Sequence, residues 1–278
     1  MKKGIMSNIM LIVILVTGLS IVLYPSVADW WNSTRQTQII TNYSESVANM
    51  DNEEYNAVIE SAEDYNAALL NRFNSYLLDG NLKTRYFEEL NFSGNGIMGY
   101  VEVPKINVML PIYHGVEEKV LQVAIGHIDW TSLPVGGEST HCVISGHRGL
   151  PSARLFTDLD QLGEGDVFML SVLNRTITYQ VDQIKIVEPH VTEDLLIEEG
   201  KDYCTLVTCT PYGVNSHRML VRGVRVDNIE QVKVKSITAD AVQIEPVIVA
   251  LFIATPILLV LLIGVLMPKK KPTKGGKL

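Results

Sequence analysis

The chain has 278 residues, 47% of them hydrophobic and 19% charged, with a formal charge of −8. That balance argues against a nucleic-acid binder, because phosphate binding needs a basic face. Three cysteines, with no Cys-x-x-Cys, argue against a disulfide scaffold, a zinc ribbon and a dithiol redox site, and their odd number leaves a thiol unpaired within the chain.

Ile9 to Tyr24 is an almost unbroken apolar run behind Lys2 and Lys3. It is short for the roughly 20 residues that cross a bilayer. Ser26-Val27-Ala28 also resembles a signal-peptide cleavage site. This end is therefore a short anchor or a signal peptide, and either places the residues that follow outside the cytoplasm. Residues 34–78 read as helical. Tyr55, Val58, Ile59, Ala62, Tyr65, Leu69, Phe73 and Tyr76 recur at three- and four-residue steps and form one apolar stripe. Asp51 is a plausible N-cap with Glu54 three residues on, and Asp79-Gly80 is a plausible stop. The stripe predicts a helical arm packed on the main domain.

From Gly96 the texture becomes β. Gly99 to Val103, Asn107 to Tyr113, His141 to Ser145, Asp166 to Val172, Arg175 to Ile186, Tyr203 to Thr210 and His217 to Val226 are short β-rich runs, many separated by Gly and Pro turns. Many short strands with few helices predict a mainly β barrel or sandwich. Val247 to Met267 is free of charge and is followed by Lys269, Lys270, Lys271, Lys274 and Lys277. This reads as a transmembrane helix with its basic flank in the cytoplasm. With both basic tails inside, the external middle carries 16 of the 23 Lys and Arg against all 31 Asp and Glu, about −15. Such a surface favours basic partners, or serves solubility alone.

Two places carry chemistry. In Thr205 to Gly223 a β-rich run ends at Cys209, Pro211, Gly213 and Asn215 make a loop, and a second strand begins with Arg218. A hairpin of this kind brings a thiol and a guanidinium together. Cysteine is a nucleophile once its thiolate is stabilised or a base stands beside it, and Arg carries fixed donors for the oxyanion formed on an attacked carbonyl. The bland alternative for Cys209 is a buried core thiol. The second place is Ser145-Gly-His-Arg-Gly-Leu-Pro151, which puts His147 on an exposed turn between glycines. Its imidazole suits proton transfer near neutral pH, and a surface histidine is the bland alternative. His217 is a rival base, ranked lower because it adjoins Arg218 on a strand and points to the other face.

Thr-Leu-Val-Thr-Cys209-Thr-Pro-Tyr-Gly-Val-Asn-Ser-His-Arg218 resembles the signature of class C, pilin-polymerising sortases. Supporting stretches are Tyr100 to Ile106, Leu110 to Gly115, Thr131 to Gly137 and Ser145 to Pro151, so the likeness covers residues 98–226. It implies an eight-stranded sortase β-barrel with an N-terminal helical arm and a membrane helix near each end. It implies Cys209 as nucleophile, His147 as acid and base, and Arg218 as oxyanion or substrate-positioning group. The substrate would be an LPXTG-like sorting signal of a secreted pilin or surface protein, cleaved through a thioacyl enzyme. A pilin lysine or a cell-wall peptide amine would resolve it, with no metal or organic cofactor. A cell-wall-anchoring or hydrolytic sortase and a non-catalytic scaffold of the same fold are the other readings; the presence of all three residues speaks against the scaffold.

The implied layout is a cytoplasmic tail with an anchor or signal peptide over 1–29, an extracellular helical arm and linker over 30–95, and a catalytic barrel over 96–228. A juxtamembrane segment (229–246), a membrane helix (247–267) and a basic cytoplasmic tail (268–278) follow. One feature departs from the family: class C sortases commonly carry a lid with an Asp-Pro-aromatic motif, and no Asp-Pro occurs in this chain. The segment Asp79 to Gly96 offers only Asp79-Gly80, Tyr86 and Phe87. The expectation is a site left open or covered by another segment. Cys142 and Cys204 lie in β-rich runs and read as small buried hydrophobes, with a disulfide between them left open.

Overall fold

The computed structural model describes residues 2–70, 78 and 80–228. The C-terminal membrane helix, its juxtamembrane segment and the basic tail expected over 229–278 lie outside the described residues, as do Phe73, Tyr76 and Asp79. The chain divides into two compact units at Val27/Ala28.

Helix α1 runs from Lys2 to Ala48 with Pro25 inside it. No glycine or further proline interrupts residues 26–48, so the expected boundary at 29/30 falls within a continuous helix. Its N-terminal part is long and apolar enough to cross a membrane, and Met10, Val13, Ile14, Val16, Ile21 and Val22 are exposed. From residue 28 the helix belongs to the second unit. There Ile40 and Tyr43 are buried, and the Tyr43 hydroxyl donates to Met98 O (3.0 Å) and accepts from Leu173 N (2.7 Å).

Helix α2 (Asn52–Leu70) begins as its sequence predicts, with Asp51 Oδ1 accepting from Glu54 N at 2.8 Å. Ile59, Ala62, Tyr65 and Leu69 join the barrel's own core, so the arm is packed rather than independent. Asn66 clasps both backbone groups of Leu133 (Leu133 N to Oδ1 2.7 Å, Nδ2 to Leu133 O 3.2 Å). Gly80, expected as part of a stop, instead opens helix α3 (Gly80–Glu88). Its Arg85 bridges Glu89 and donates to Ser61 O, which ties α3 to α2.

Eight strands follow: β1 (Ile97–Val103), β2 (Val108–His114), β3 (Ile125–His127), β4 (Thr140–Ser145), β5 (Val167–Val172), β6 (Arg175–Val187), β7 (Asp202–Thr210) and β8 (His217–Val226). A four-residue helix, α4 (Glu118–Leu121), precedes β3. The strands close into a barrel in the order β1-β2-β3-β4-β7-β8-β6-β5. Pairs β2–β3 and β4–β7 are parallel and the rest antiparallel. Alternation fills the interior with Val101, Val103, Leu110, Ile112, Ile144, Phe168, Leu170, Tyr179, Leu206 and Val221, all buried. The expected eight-stranded barrel is present; the three-residue β3 is the strand that the sequence pattern does not reveal.

Candidate active site

The parallel pairing of β4 with β7 places the C-terminal ends of both strands at one end of the barrel. Their register runs from Thr140↔Asp202 to Ser145↔Val207. His147 and Cys209 each lie two residues beyond the last of these pairs. Gly146 N donates to Val207 O (3.0 Å), and Thr208 Oγ1 donates back to Gly146 O (2.8 Å). The backbone ahead of His147 is thus fastened to the backbone ahead of Cys209. An added Cβ at Gly146 would meet Phe156 Cδ2 at 2.7 Å and Ile125 Cγ2 at 2.8 Å, so only glycine lets the chain pass.

Strand β8 supplies the guanidinium. Cys209 and Arg218 are directly opposite in the antiparallel β7–β8 ladder, which turns their side chains to one face. Arg218 Nη1 donates to Asn215 O (3.2 Å) and His217 O (3.1 Å). The rival His217 pairs with Thr210, and its Nδ1 lies 2.9 Å from Ser216 Oγ. The structure therefore gathers His147, Cys209 and Arg218 at one end of three neighbouring strands.

The His147 turn is half-buried rather than exposed, because two neighbours close on it. Gly149 has φ +76°, and an added Cβ would meet the Tyr212 ring at 2.8 Å. Arg148, its side chain 10% exposed, pairs with Asp160, donates to Thr210 Oγ1 (3.4 Å) and lies 6.0 Å over the Tyr212 ring. Arg148 and Tyr212 thus link the loop of His147 to the loop after Cys209. His147 Nε2 is buried without a hydrogen-bond partner among the described residues, and a Glu118 carboxylate oxygen from α4 lies 3.6 Å away. Arg148 stands inside the sequence motif, whereas Glu118 carries no signal: it is 29 residues upstream in a short polar helix.

Cys209 is half-buried and free. Cys142 and Cys204 are buried, also free, and face each other across β4–β7. Burial pushes the Cys204 thiol well above its ordinary pKa. In the segment between the helical arm and β1, where no Asp-Pro lid motif occurs, Tyr86 is fully buried. Its hydroxyl donates to His127 O (3.1 Å) and accepts from Gly115 N (2.8 Å), while Phe87 packs on Tyr86 and His114. No cluster of three metal-binding side chains occurs among the described residues.

The sortase domain model matches residues 101–226. The chain is 31% identical to Sortase D of Bacillus subtilis (strain 168) over 131 residues, 46% of this chain and 63% of that protein; the match thus spans less than two thirds of this curated relative. Among solved structures it is similar to sortase C1 of Streptococcus agalactiae, with 51% identity, a TM-score of 0.67 and coverage of 69% of this chain and 99% of that one. It is also similar to Clostridium perfringens sortase C, solved with the C-terminal cell wall sorting motif, with 42% identity, a TM-score of 0.61 and coverage of 69% and 99%.

Proposed function

Because the chain belongs to the sortase family, with class C enzymes among its structural relatives, we propose that it is a membrane-anchored cysteine transpeptidase acting on an LPXTG-like sorting signal. The observation that carries this reading is the shared strand end, where Cys209 faces Arg218 across one ladder and Gly146, next to His147, is bonded to β7 across the other.

In the first step the Cys209 thiol gives its proton to His147 as Sγ attacks the Thr carbonyl of the sorting signal and a C–S bond forms. Arg218 donates to the oxyanion, where fixed donors act most strongly. The Thr–Gly C–N bond breaks, and His147 delivers a proton to the departing amine. In the second step an amine of a neighbouring pilin, from a lysine, attacks the thioacyl carbon. Its proton passes to His147, and the thiolate leaves as the new amide forms. The N-terminal part of α1 holds the enzyme in the bilayer and residues 30–228 act on the extracellular side, with 96–228 as the catalytic domain.

The test uses the full chain in detergent with a panel of sorting peptides. Intact mass is expected to show an acyl adduct on Cys209, released by a lysine-bearing pilin peptide faster than by water or a cell-wall peptide amine. Cys209→Ala is expected to abolish adduct and product. Joining of peptide to amine by Cys209→Ala would refute the assignment.

A further inference from the structure

Helix α1 reaches the active-site end of the barrel with a polar seam. Asp29, Asn32 and Gln36 follow one another at helical steps of three and four, in line with buried Ile40 and Tyr43. The two buried residues fix the helix's rotation, so the three polar residues face the barrel while Trp30 and Trp31 are exposed. Each of the three makes one bond to the backbone of another element. Asp29 Oδ1 accepts from Arg154 N at 2.8 Å, Asn32 Nδ2 donates to Ser152 O at 2.7 Å, and Gln36 Nε2 donates to Val123 O at 2.7 Å.

The targets lie on both sides of His147. Ser152 and Arg154 belong to the loop that leaves His147 and returns at Phe156, whose N–H bonds back to His147 O (3.2 Å). Val123 follows α4, and its N–H bonds to Val120 O (3.1 Å) in the helix that carries Glu118 to within 3.6 Å of His147 Nε2. His147 itself lacks a hydrogen bond at Nε2 among the described residues. Its loop is therefore held before it by the Gly146 bonds to β7 and after it by the Asp29 and Asn32 bonds from α1, while Gln36 holds the end of the helix that carries Glu118.

We propose that Asp29, Asn32 and Gln36 form a brace that sets the position of His147, and so are positioning residues of the acyl-transfer site. The kinetic part of this inference rests on the transpeptidase reading; the brace itself does not. Asp29 acts as an acceptor and Asn32 as a donor, so the two swaps of acid and amide have opposite consequences. Asp29→Asn keeps a carbonyl oxygen for Arg154 N, whereas Asn32→Asp loses the donor to Ser152 O and sets a carboxylate against a carbonyl.

The test measures acyl transfer and amide exchange on the full chain in detergent. Asn32→Asp and Asp29→Ala are expected to lower kcat about tenfold at unchanged KM, since a small misplacement of a proton-transfer group slows chemistry without weakening binding. Asp29→Asn is expected to stay within about twofold of wild type. Amide exchange over residues 150–156 is expected to quicken about tenfold in Asn32→Asp and Asp29→Ala and to stay unchanged in Asp29→Asn. Unchanged exchange in all three variants overturns the brace. Faster exchange with unchanged kcat overturns its role at His147, and an Asp29→Asn as slow as Asp29→Ala overturns the hydrogen-bond account. A wild-type chain that forms no adduct on Cys209 sinks the transpeptidase reading, while exchange still decides the brace.

Discussion

Arg218 shows what one guanidinium has to do at the strand end. Its Nη1 donates to Asn215 O and His217 O, securing the loop between Cys209 and itself, and its other nitrogens make no hydrogen bond among the described residues. An ammonium has neither the planar fork nor the reach to hold that loop and donate to an oxyanion as well. Arg218→Lys is therefore expected to lower kcat about 100-fold, the scale of a lost oxyanion donor, with little change in melting temperature; wild-type turnover by this variant would remove Arg218 from the proposed step. Gly149 imposes a different constraint. Gly149→Ala meets both a left-handed backbone and the Tyr212 ring, an expected loss of about 1–3 kcal/mol. Tyr212 is 61% exposed and can swing away, so adding Tyr212→Ala should recover the collision and leave the backbone cost; additive melting losses in the double variant would show that the ring is not what the glycine avoids. At this scale the sequence is informative about residue types: Cys209, His147 and Arg218 stand out by motif. It does not reveal what surrounds them, because Asn32 and Glu118 come from helices 115 and 29 residues before His147.

Elements were legible where a single period dominates. The stripe of α2 is apolar at every step, and its cap is a lone aspartate at the right distance, so both its existence and its start could be read. The seam of α1 escaped because it changes character along its length, from Asp29, Asn32 and Gln36 to Ile40 and Tyr43, and no apolar period registers it. Gly80 misled because glycine ordinarily ends helices, while here it begins α3. Tyr43 is the anchor of the α1 seam. Its hydroxyl donates to β1 at Met98 O and accepts from Leu173 N, in the turn between β5 and β6. Burial pushes its phenol far above the ordinary range, so it remains a neutral donor at every accessible pH. Tyr43→Phe keeps the ring and strands two buried backbone groups. The expected loss is about 2 kcal/mol in urea unfolding, accompanied by faster amide exchange at Leu173; an unchanged midpoint would mean water replaces the hydroxyl.

For the whole molecule, the short strands foretold a barrel or a sandwich, and the closed order does not show in the local pattern. β1 pairs with β5 and β4 with β7, across separations that leave no trace in local pattern. The β4–β7 seam also buries a titratable imidazole. His141 is 1% exposed. Its Nδ1 donates to Leu196 O (2.9 Å), which leaves Nε2 to accept from Thr205 Oγ1 (2.7 Å) in the neutral ring. Burial, helped by the nearby Arg222 charge and opposed by the Leu196 carbonyl, Glu198 and Asp182, holds the imidazole down at about 4, below its ordinary 6.5. The unfolded chain then takes up this proton before the folded one does. The stability tied to His141 is complete above about pH 6.5 and is lost progressively as pH falls towards about 4, reaching about 3 kcal/mol. His141→Gln can keep a donor and an acceptor but has no proton to gain. In urea unfolding followed from pH 7 to pH 4, wild type is expected to lose about 3 kcal/mol more than this variant. Parallel curves for the two proteins would mean that the seam opens to water and lets His141 titrate as an ordinary imidazole.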